Sequence, residues 1–513
     1  MIWRIAKKEL LEKLLDFRVI TSFIIGLVLA VVCVIVTGED YRVRKSAYDA
    51  AVADAQKKLR NVKVFSQYQP DIVYPPSPLS VFSNGANIPG PVVISISIDR
   101  VPRYEQAEVA SNPLMQIYDP LDLELVLQVL FSLLAILLTY DAFAREKEDG
   151  TLRLIMSNPV SRTKLLYGKV LGSFLILSTT TVMLFAIVLI LMLTVLGVTL
   201  SMEDFFRALL IALVTLLYLS NFAALGTLAS LTFHRSSTSL AVSLFIWCFL
   251  SILQPNLNTY FAAEFGSTPR LDDIQPALEE EYKSFFLKLE HLQAQDSAIL
   301  NDTARRKFIE AVVDYGSAVI YTAVADADYD VLESLIRQVK LYREIAETAN
   351  NEWLLYQNLY LSKLDKQLRH KRMLDLVSPA ALLSYVTSIF ARTDVDNFEN
   401  FLKQAREYRN KYIRYLDEKG IFSTNAQLFF SRLTKDQIDP AATARRLAQY
   451  EKDRSSVPWT QNMEPLDLGD APAFKAKDVS SISNTVLPVL LLIIYFIILI
   501  EYAGHRLQTY DVR

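Results

Sequence analysis

Residues Arg145–Lys169 read REKEDGTLRLIMSNPVSRTKLLYGK. Uncharged, mostly apolar runs flank them, Leu125–Tyr140 before and Val170–Leu200 after. The stretch itself is crowded with charge, so it reads as a short link between two membrane spans. Asp149 or Thr151 can cap a short helix. Leu152, Ile155 and Met156 then fall on one face, with Arg153 off it. Asn158 and Pro159 end that helix and start the next, because proline suits a first helical turn. The expected product is a rigid helix of one or two turns, offering a small apolar knob ringed by charge. Such an element suits a groove on a soluble partner. The plain alternative is a solvated hairpin between spans.

Working outward, the apolar residues of this 513-residue chain are gathered into blocks, and 52% of all residues are hydrophobic. Mean hydropathy is +0.23. A spanning helix needs about 20 mainly apolar residues. Six spans are expected: 19–37, 121–141, 170–197, 208–232, 237–255 and 479–501. The second reaches span length only if Leu121–Glu124 joins Leu125–Tyr140, and Pro255 marks the expected end of the fifth. The remainder divides into a basic amphipathic segment 1–18, an outer segment 38–120, the charged loop 142–169, a large outer domain 256–478 and a tail 502–513. The fold class is therefore mainly α, a polytopic membrane protein with a large, mostly helical extracytoplasmic domain and a smaller α+β outer segment.

Lys and Arg set the orientation. Arg4, Lys7, Lys8, Lys13 and Arg18 precede the first span, and Arg145, Lys147, Arg153, Arg162, Lys164 and Lys169 follow the second. Arg235 lies between spans 4 and 5, and Arg506 and Arg513 lie in the tail. All fall on one side if spans alternate, which makes both termini cytoplasmic. The first span has a basic flank, but its apolar core is too long for a signal peptide and no small-x-small site follows, so it reads as an uncleaved anchor.

The first outer segment opens with a polar helical stretch, Tyr41–Leu59, and continues through YPPSPLSVFSNG (Tyr74–Gly85), which reads as turns. Pro91–Asp99, PVVISISID, alternates as a half-buried strand does. In the second, Leu271–Leu300, Thr303–Ala325, Val331–His370 and Asn397–Lys419 carry apolar residues three and four apart, a helical pattern. Leu376–Ala391, LVSPAALLSYVTSIFA, is uncharged but short for a span. It reads equally as a core helix of the outer domain or as an interfacial helix.

Several chemistries lack a basis. The net charge of −3 gives no global signature for nucleic acid. Cys33 and Cys248 both lie inside apolar runs, which disfavours a disulfide framework or a cysteine metal site. No G-x-x-x-x-G-K-[ST] occurs, and TKLLYGK lacks the first glycine. His234, His291, His370 and His505 are scattered, without a metal-ligand spacing. Asp122 and Glu124 stand at the edge of span 2, and the span interiors hold no Asp, Glu, Lys, Arg or His, so an ion relay has no carriers. Ser, Thr, Asn221 and small residues suit helix–helix packing instead.

The charged loop resembles the cytoplasmic loop of ABC-2-type permeases, the membrane subunits of a large class of ABC transporters. The resemblance rests on Glu146-Lys147-Glu148-Asp149-Gly150-Thr151-Leu152, Asn158-Pro159-Val160-Ser161-Arg162 and Tyr167-Gly168-Lys169. PSPLSVFSNG, VSPAALL and the terminal YDVR resemble a subgroup with enlarged outer domains. The resemblance implies a membrane subunit without catalytic residues. Its coupling loop would comprise Glu146, Glu148, Asp149, Gly150, Thr151, Leu152, Arg153, Ile155, Met156, Pro159 and Arg162. A second coupling turn would comprise His234, Arg235 and Ser236. It also implies no cofactor on this chain, with ATP and Mg carried by two copies of a cytoplasmic ABC ATPase subunit. A second permease copy, identical or related, membrane lipid and an extracytoplasmic protein partner complete the expected company, in the inner membrane. Two functions follow as alternatives: export of an unidentified substrate, or transmission of ATP-driven motion to an outer partner without transport.

Overall fold

The computed structural model describes residues 2–62, 65, 68–85, 92–103, 122–157, 161–264, 271–300, 310–314, 319–325, 329–422, 430–433, 466–476 and 482–510. Helix α1 covers Ile2–Leu14 and α2 covers Phe17–Arg60. The apolar first run and the polar Tyr41–Leu59 stretch are thus one continuous helix, about 66 Å long at 1.5 Å per residue. Asp16 caps its start by accepting from the Arg18 N–H. Strands β1 (Asp71–Val73) and β2 (Val93–Ser95) pair antiparallel, with Ile72 opposite Ile94, so the alternating PVVISISID contributes three strand residues. Between them, Ser77 caps a 3-10 turn at Pro78–Val81.

The second apolar run forms α3, Leu123–Leu137, shorter than the 121–141 expected. It contains a π-turn at Leu127–Phe131 and gives way to turns at 138–143. The charged loop forms two short helices, α4 (Ala144–Glu148) and α5 (Thr151–Ser157). Helix α6, Arg162–Thr194, starts well before the apolar run does, because Ser161 caps it from the Lys164 N–H. Helix α7, Met202–Thr232, starts at a reciprocal capping box of Ser201 and Asp204. Helix α8 runs Ser236–Cys248, through a π-turn at Phe249–Leu253, into Gln254–Glu264. Pro255 therefore does not end the fifth run. It sits just past the π-turn, inside the first turn of the continuing segment, where a missing N–H costs least.

Beyond lie α9 (Leu271–Leu300), β3 (Glu310–Asp314), β4 (Val319–Ala325) and α10, which is Tyr329–Tyr356 joined through a π-turn at Gln357–Leu361 to Ser362–Asp375. The helical reading of Thr303–Ala325 is corrected. Its described part is an antiparallel strand pair, as its β-branched residues prefer. Helices α11 (Pro379–Ala391) and α12 (Val395–Glu418) follow, and β5 (Phe430–Leu433) pairs parallel with β4. A 3-10 turn at Ile482–Thr485 leads into α13, Val486–Thr509, which extends through most of the expected tail.

Five helices, α2, α6, α7, α8 and α13, are long and apolar enough to cross a membrane, and α3 is the shorter sixth apolar helix. Helix α7 lies at their centre, packed against α3, α6, α8, α11 and α13. Asn221 on α7 donates to the Leu492 carbonyl of α13 at 3.2 Å, a polar tie inside this core. The uncharged α11 is neither an interfacial helix nor part of the outer core. Leu382, Leu383, Val386 and Phe390 are buried in the same core as the apolar helices, against α7 and α13. A separate core joins β1 and β2 to α12 through Ile72, Ile94, Phe398, Phe401, Tyr408 and Tyr412.

Candidate functional site: a charged loop clamped to helix ends

An α-helix leaves its first four N–H groups and last four carbonyls without internal partners. The charged loop supplies side chains to such groups on three of the long helices. Lys147 on α4 donates to the carbonyls of Ser230 (3.0 Å), Leu231 (2.5 Å) and Phe233 (3.1 Å) at the C-terminal end of α7. The next residue, Glu148, accepts from the Ser236 N–H (3.2 Å) and hydroxyl (2.8 Å) at the start of α8. A cation thus meets a helix C-terminus and an anion meets the following N-terminus, the favourable sign in each case. Arg162 repeats the pattern, donating through one nitrogen to the carbonyls of Leu507 (3.1 Å), Gln508 (2.6 Å) and Tyr510 (2.9 Å) at the end of α13. Ser230 returns the favour. Its hydroxyl accepts from the Phe143 and Ala144 N–H groups, 2.8 Å each, at the start of α4.

Electrostatics follow from this geometry. Burial, with Arg506 as the lesser cause, pulls the Lys147 ammonium down to about 8. Hydrogen bonds from Ser236 hold the Glu148 carboxyl below its ordinary value. Glu146 faces the other way. It accepts from Lys169 at 2.7 Å, and Lys169 also donates to the Ala142 carbonyl at 2.6 Å and lies 3.6 Å from Glu9 on α1. Burial raises the Glu9 carboxyl. Helix α1 approaches α6 this closely because Gly168 and Gly172 present no side chain. A Cβ on either would lie 2.7 Å from that of Ile5 or 2.8 Å from that of Glu9. Lys13 closes the ring with a 2.5 Å contact to Asp141.

Gly150 joins α4 to α5 at φ +71°, a left-handed conformation that glycine adopts without strain. Asp149 does not start α5. It closes α4, its N–H bonded to the Arg145 carbonyl. Thr151 is exposed at the head of α5, its hydroxyl 3.4 Å from the Glu146 carbonyl. Leu152, Ile155 and Met156 do share a face, with Arg153 exposed off it. That face is not a knob. Leu152 is 1% exposed, packed with Phe143, Leu165, Leu166, Leu231 and Leu507 of its own chain. The apolar side chain that α5 presents outward is Leu154, 69% exposed. Pro159, with Asn158, lies outside the described residues.

The turn His234–Ser236 belongs to the same assembly, since Phe233 and Ser236 are the groups held by Lys147 and Glu148. His234 lies 6.4 Å from the Tyr510 ring, centroid to centroid, and His234 and Arg235 are exposed. Sequence reasoning named Lys147 and Lys169 only in the motif and the charge count, without a site role, and missed Glu9 and Ser230. A signal existed. Helix α7 ends in Ser-Leu-Thr-Phe, without a glycine cap and without a basic residue in its last turn, so its last carbonyls called for a donor beyond the helix. Among the described residues no cluster of three metal-binding side chains occurs.

The fold and this loop define a multi-pass helical membrane protein whose charged loop binds the ends of its own spans. The chain belongs to the ABC-2 family of transporter proteins, whose family model matches residues 3–327. A domain of unknown function, DUF3526, matches residues 340–455. Over 52 residues the chain is 50% identical to the probable ABC transporter permease protein NosY of Pseudomonas aeruginosa. That match takes in 10% of this chain and 19% of NosY, so the chain spans about a fifth of the curated relative it matches.

Proposed function

We propose that this subunit couples ATP hydrolysis by a separate ABC ATPase to motion of its spans, through the surface formed by α4, Gly150, α5 and the His234–Ser236 turn. The observation that carries the reading is the paired clamp of Lys147 and Glu148 on adjoining helix ends. A force on α4 acts at once on α7 and α8, and through Arg162 the loop also holds α13. Leu154, with Thr151 and Arg153 exposed beside it, is the side chain on α5 that a partner groove would take. In this reading α3 is a sixth span of the inner membrane, the loop faces the cytoplasm, and residues 38–120 and 256–478, apart from the packed α11, lie on the outer side. The exposed face of α1, with Trp3, Arg4, Lys7, Lys8, Leu11 and Leu14, lies on the lipid surface. Two ATPase copies and a second permease copy complete the machine, and ATP and Mg stay on the ATPase.

The motion serves export in the first reading. One observation favours the alternative, transmission to an outer partner: α2 continues unbroken from the apolar run into the second core, where it packs on β1. Reconstitution of the complex in vesicles separates them. Substrate-stimulated ATP turnover with vectorial flux supports export, and partner-dependent turnover without flux supports transmission. ATP turnover by the pure chain alone overturns both.

A further inference from the structure

The loop holds one end of α7, and the other end is held as well. At its N-terminal end Arg392 contacts Asp204 at 3.0 Å and Glu203 at 2.8 Å, and Arg207 contacts Glu203 at 2.8 Å. Arg392 is no ordinary loop residue. It is the C-cap of α11, held in the left-handed conformation at φ 58°, and two residues later Asp394 caps α12. The joint therefore sits where α11 turns into α12, the helix that supplies the second core with Phe398, Phe401, Tyr408 and Tyr412. Neighbouring contacts stiffen it. Thr387 donates to Glu124 at 2.7 Å, Ser77 donates to the Ala391 carbonyl at 2.5 Å, and Thr393 donates to the Ser83 carbonyl at 3.0 Å.

What lies between the two ends matters equally. Helix α7 is an uninterrupted α-helix of 31 residues without proline, about 46 Å long. Its flanking partners α3 and α8 each contain a π-turn, the kind of defect at which helices bend. Of the five long apolar helices α7 is also the most enclosed, 56% of its apolar window being buried against 39% or less in the others.

We infer that α7 is the rod that carries motion from the charged loop to the α11–α12 unit, and that Arg392, through Asp204 and Glu203, is the positioning residue joining the rod to that unit. The inference rests on the reading of the loop as the ATPase-coupling surface. The alternative routes are α2, which also enters the second core, and α8, which touches α11 near its π-turn. Helix α8 is held by the loop through Glu148, but among the described residues neither α2 nor α8 also has an ion pair to Arg392 at the α11–α12 joint, as α7 does through Asp204 and Glu203.

The test uses the full complex with the ABC ATPase that co-purifies with the chain, in lipid nanodiscs. Cys33 and Cys248 are replaced by serine, and spin labels are placed at the half-exposed Lys45 and the exposed Lys403. Their separation is measured without nucleotide and with ATP and vanadate. Arg392→Gln should retain ATPase association and basal hydrolysis within twofold, yet cut the ATP-dependent population shift at Lys403 at least fivefold. Arg392→Lys should restore at least half of it. Asp204→Asn, which keeps an oxygen for the Ser201 cap, should behave as Arg392→Gln does and covers the case that the arginine variant fails to fold. A full shift in Arg392→Gln or in Asp204→Asn overturns the rod while leaving the coupling surface standing. Failure of the unaltered chain to co-purify an ATPase, or to show any ATP-dependent shift, overturns both.

Discussion

Replacing Lys147 with methionine keeps most of the side-chain volume and removes the cation from the end of α7. Three carbonyls, those of Ser230, Leu231 and Phe233, lose their donor. A hydrogen bond involving a charged group contributes roughly 1.5–3 kcal/mol net, and a cation at a helix C-terminus up to about 2 kcal/mol in partly buried geometry. These describe largely the same attraction and are not summed, and the loss is offset because methionine is easier to bury than an ammonium. The lower part of the range applies, about 2 kcal/mol, which is a factor of roughly 30 in the balance between clamped and released turns. Amide exchange in the purified full chain reads that balance. Exchange across Leu231–Ser239 should rise on the order of 30-fold in Lys147→Met, with coupled ATP-driven activity falling in step, while the far end of α7 keeps its protection. Arg145→Met is the control, because Arg145 is 66% exposed and its Asp149 partner is 3.9 Å away. Unchanged exchange at the α7–α8 turn together with full activity in Lys147→Met would refute the clamp.

Four further outcomes are expected. Leu154→Asp should weaken co-purification of the ATPase without lowering thermal stability, whereas Leu152→Ala should cost about 2–5 kcal/mol of stability, since its side chain is buried in the chain's own core. Gly150→Val should strain the α4–α5 turn by about 1–3 kcal/mol, with Gly150→Asn milder; nothing lies within 4 Å of the added Cβ, so a backbone effect alone is read in the melting curve. Raising the pH through about 8 should discharge Lys147 in the folded chain, while the unfolded chain keeps its proton to about 10.4. The unfolded state then binds more protons, so this group's contribution to stability rises with pH across that window even as coupled activity falls, and Lys147→Arg should abolish the activity inflection. Single cysteines at Lys57 and Lys403 should react with an impermeant thiol reagent on intact cells and one at Lys164 should not; the reverse pattern would invert the topology.

The sequence made some of this legible for identifiable reasons. Long uncharged runs announced the apolar helices, and the spacing of Leu152, Ile155 and Met156 placed them on one face. A seven-residue helix shows which side is apolar, but not whose surface covers it. Here the cover is Leu165, Leu166 and Leu507 of the same chain. Charges in the loop invited a reading as a rim for a partner, whereas Lys147 and Arg162 are spent on carbonyls whose positions appear only after folding. The continuity of α2 was obscured because composition changes abruptly at Gly38–Asp40 while the backbone does not. Val312, Val313, Val319, Ile320 and Val324 carried a strand signal that the surrounding helical pattern overshadowed. Nothing local distinguishes α11 as a wedge among spans from a helix of an outer core, since both environments favour the same residues.

The position of α11 bears on how such a chain is inherited. One family description ends at residue 327 and the other begins at 340, which invites treating the second block as a detachable appendage. Yet α11 belongs to that second block and fills the first. Its Leu382, Leu383 and Phe390 complete the core around α7, and its Thr387 and Arg392 meet the carboxylates of Glu124 and Asp204. A gene fusion or truncation at the boundary would leave Glu124 without Thr387, Asp204 without Arg392, and a gap in the bundle. A chimera that imports the second block from a relative must also import Ser77–Gly85, which grips both ends of the joint through the Ala391 carbonyl and Thr393. In this chain the two blocks therefore share one core, and a chimera that exchanges the second block without its partners in the first is expected to fold poorly.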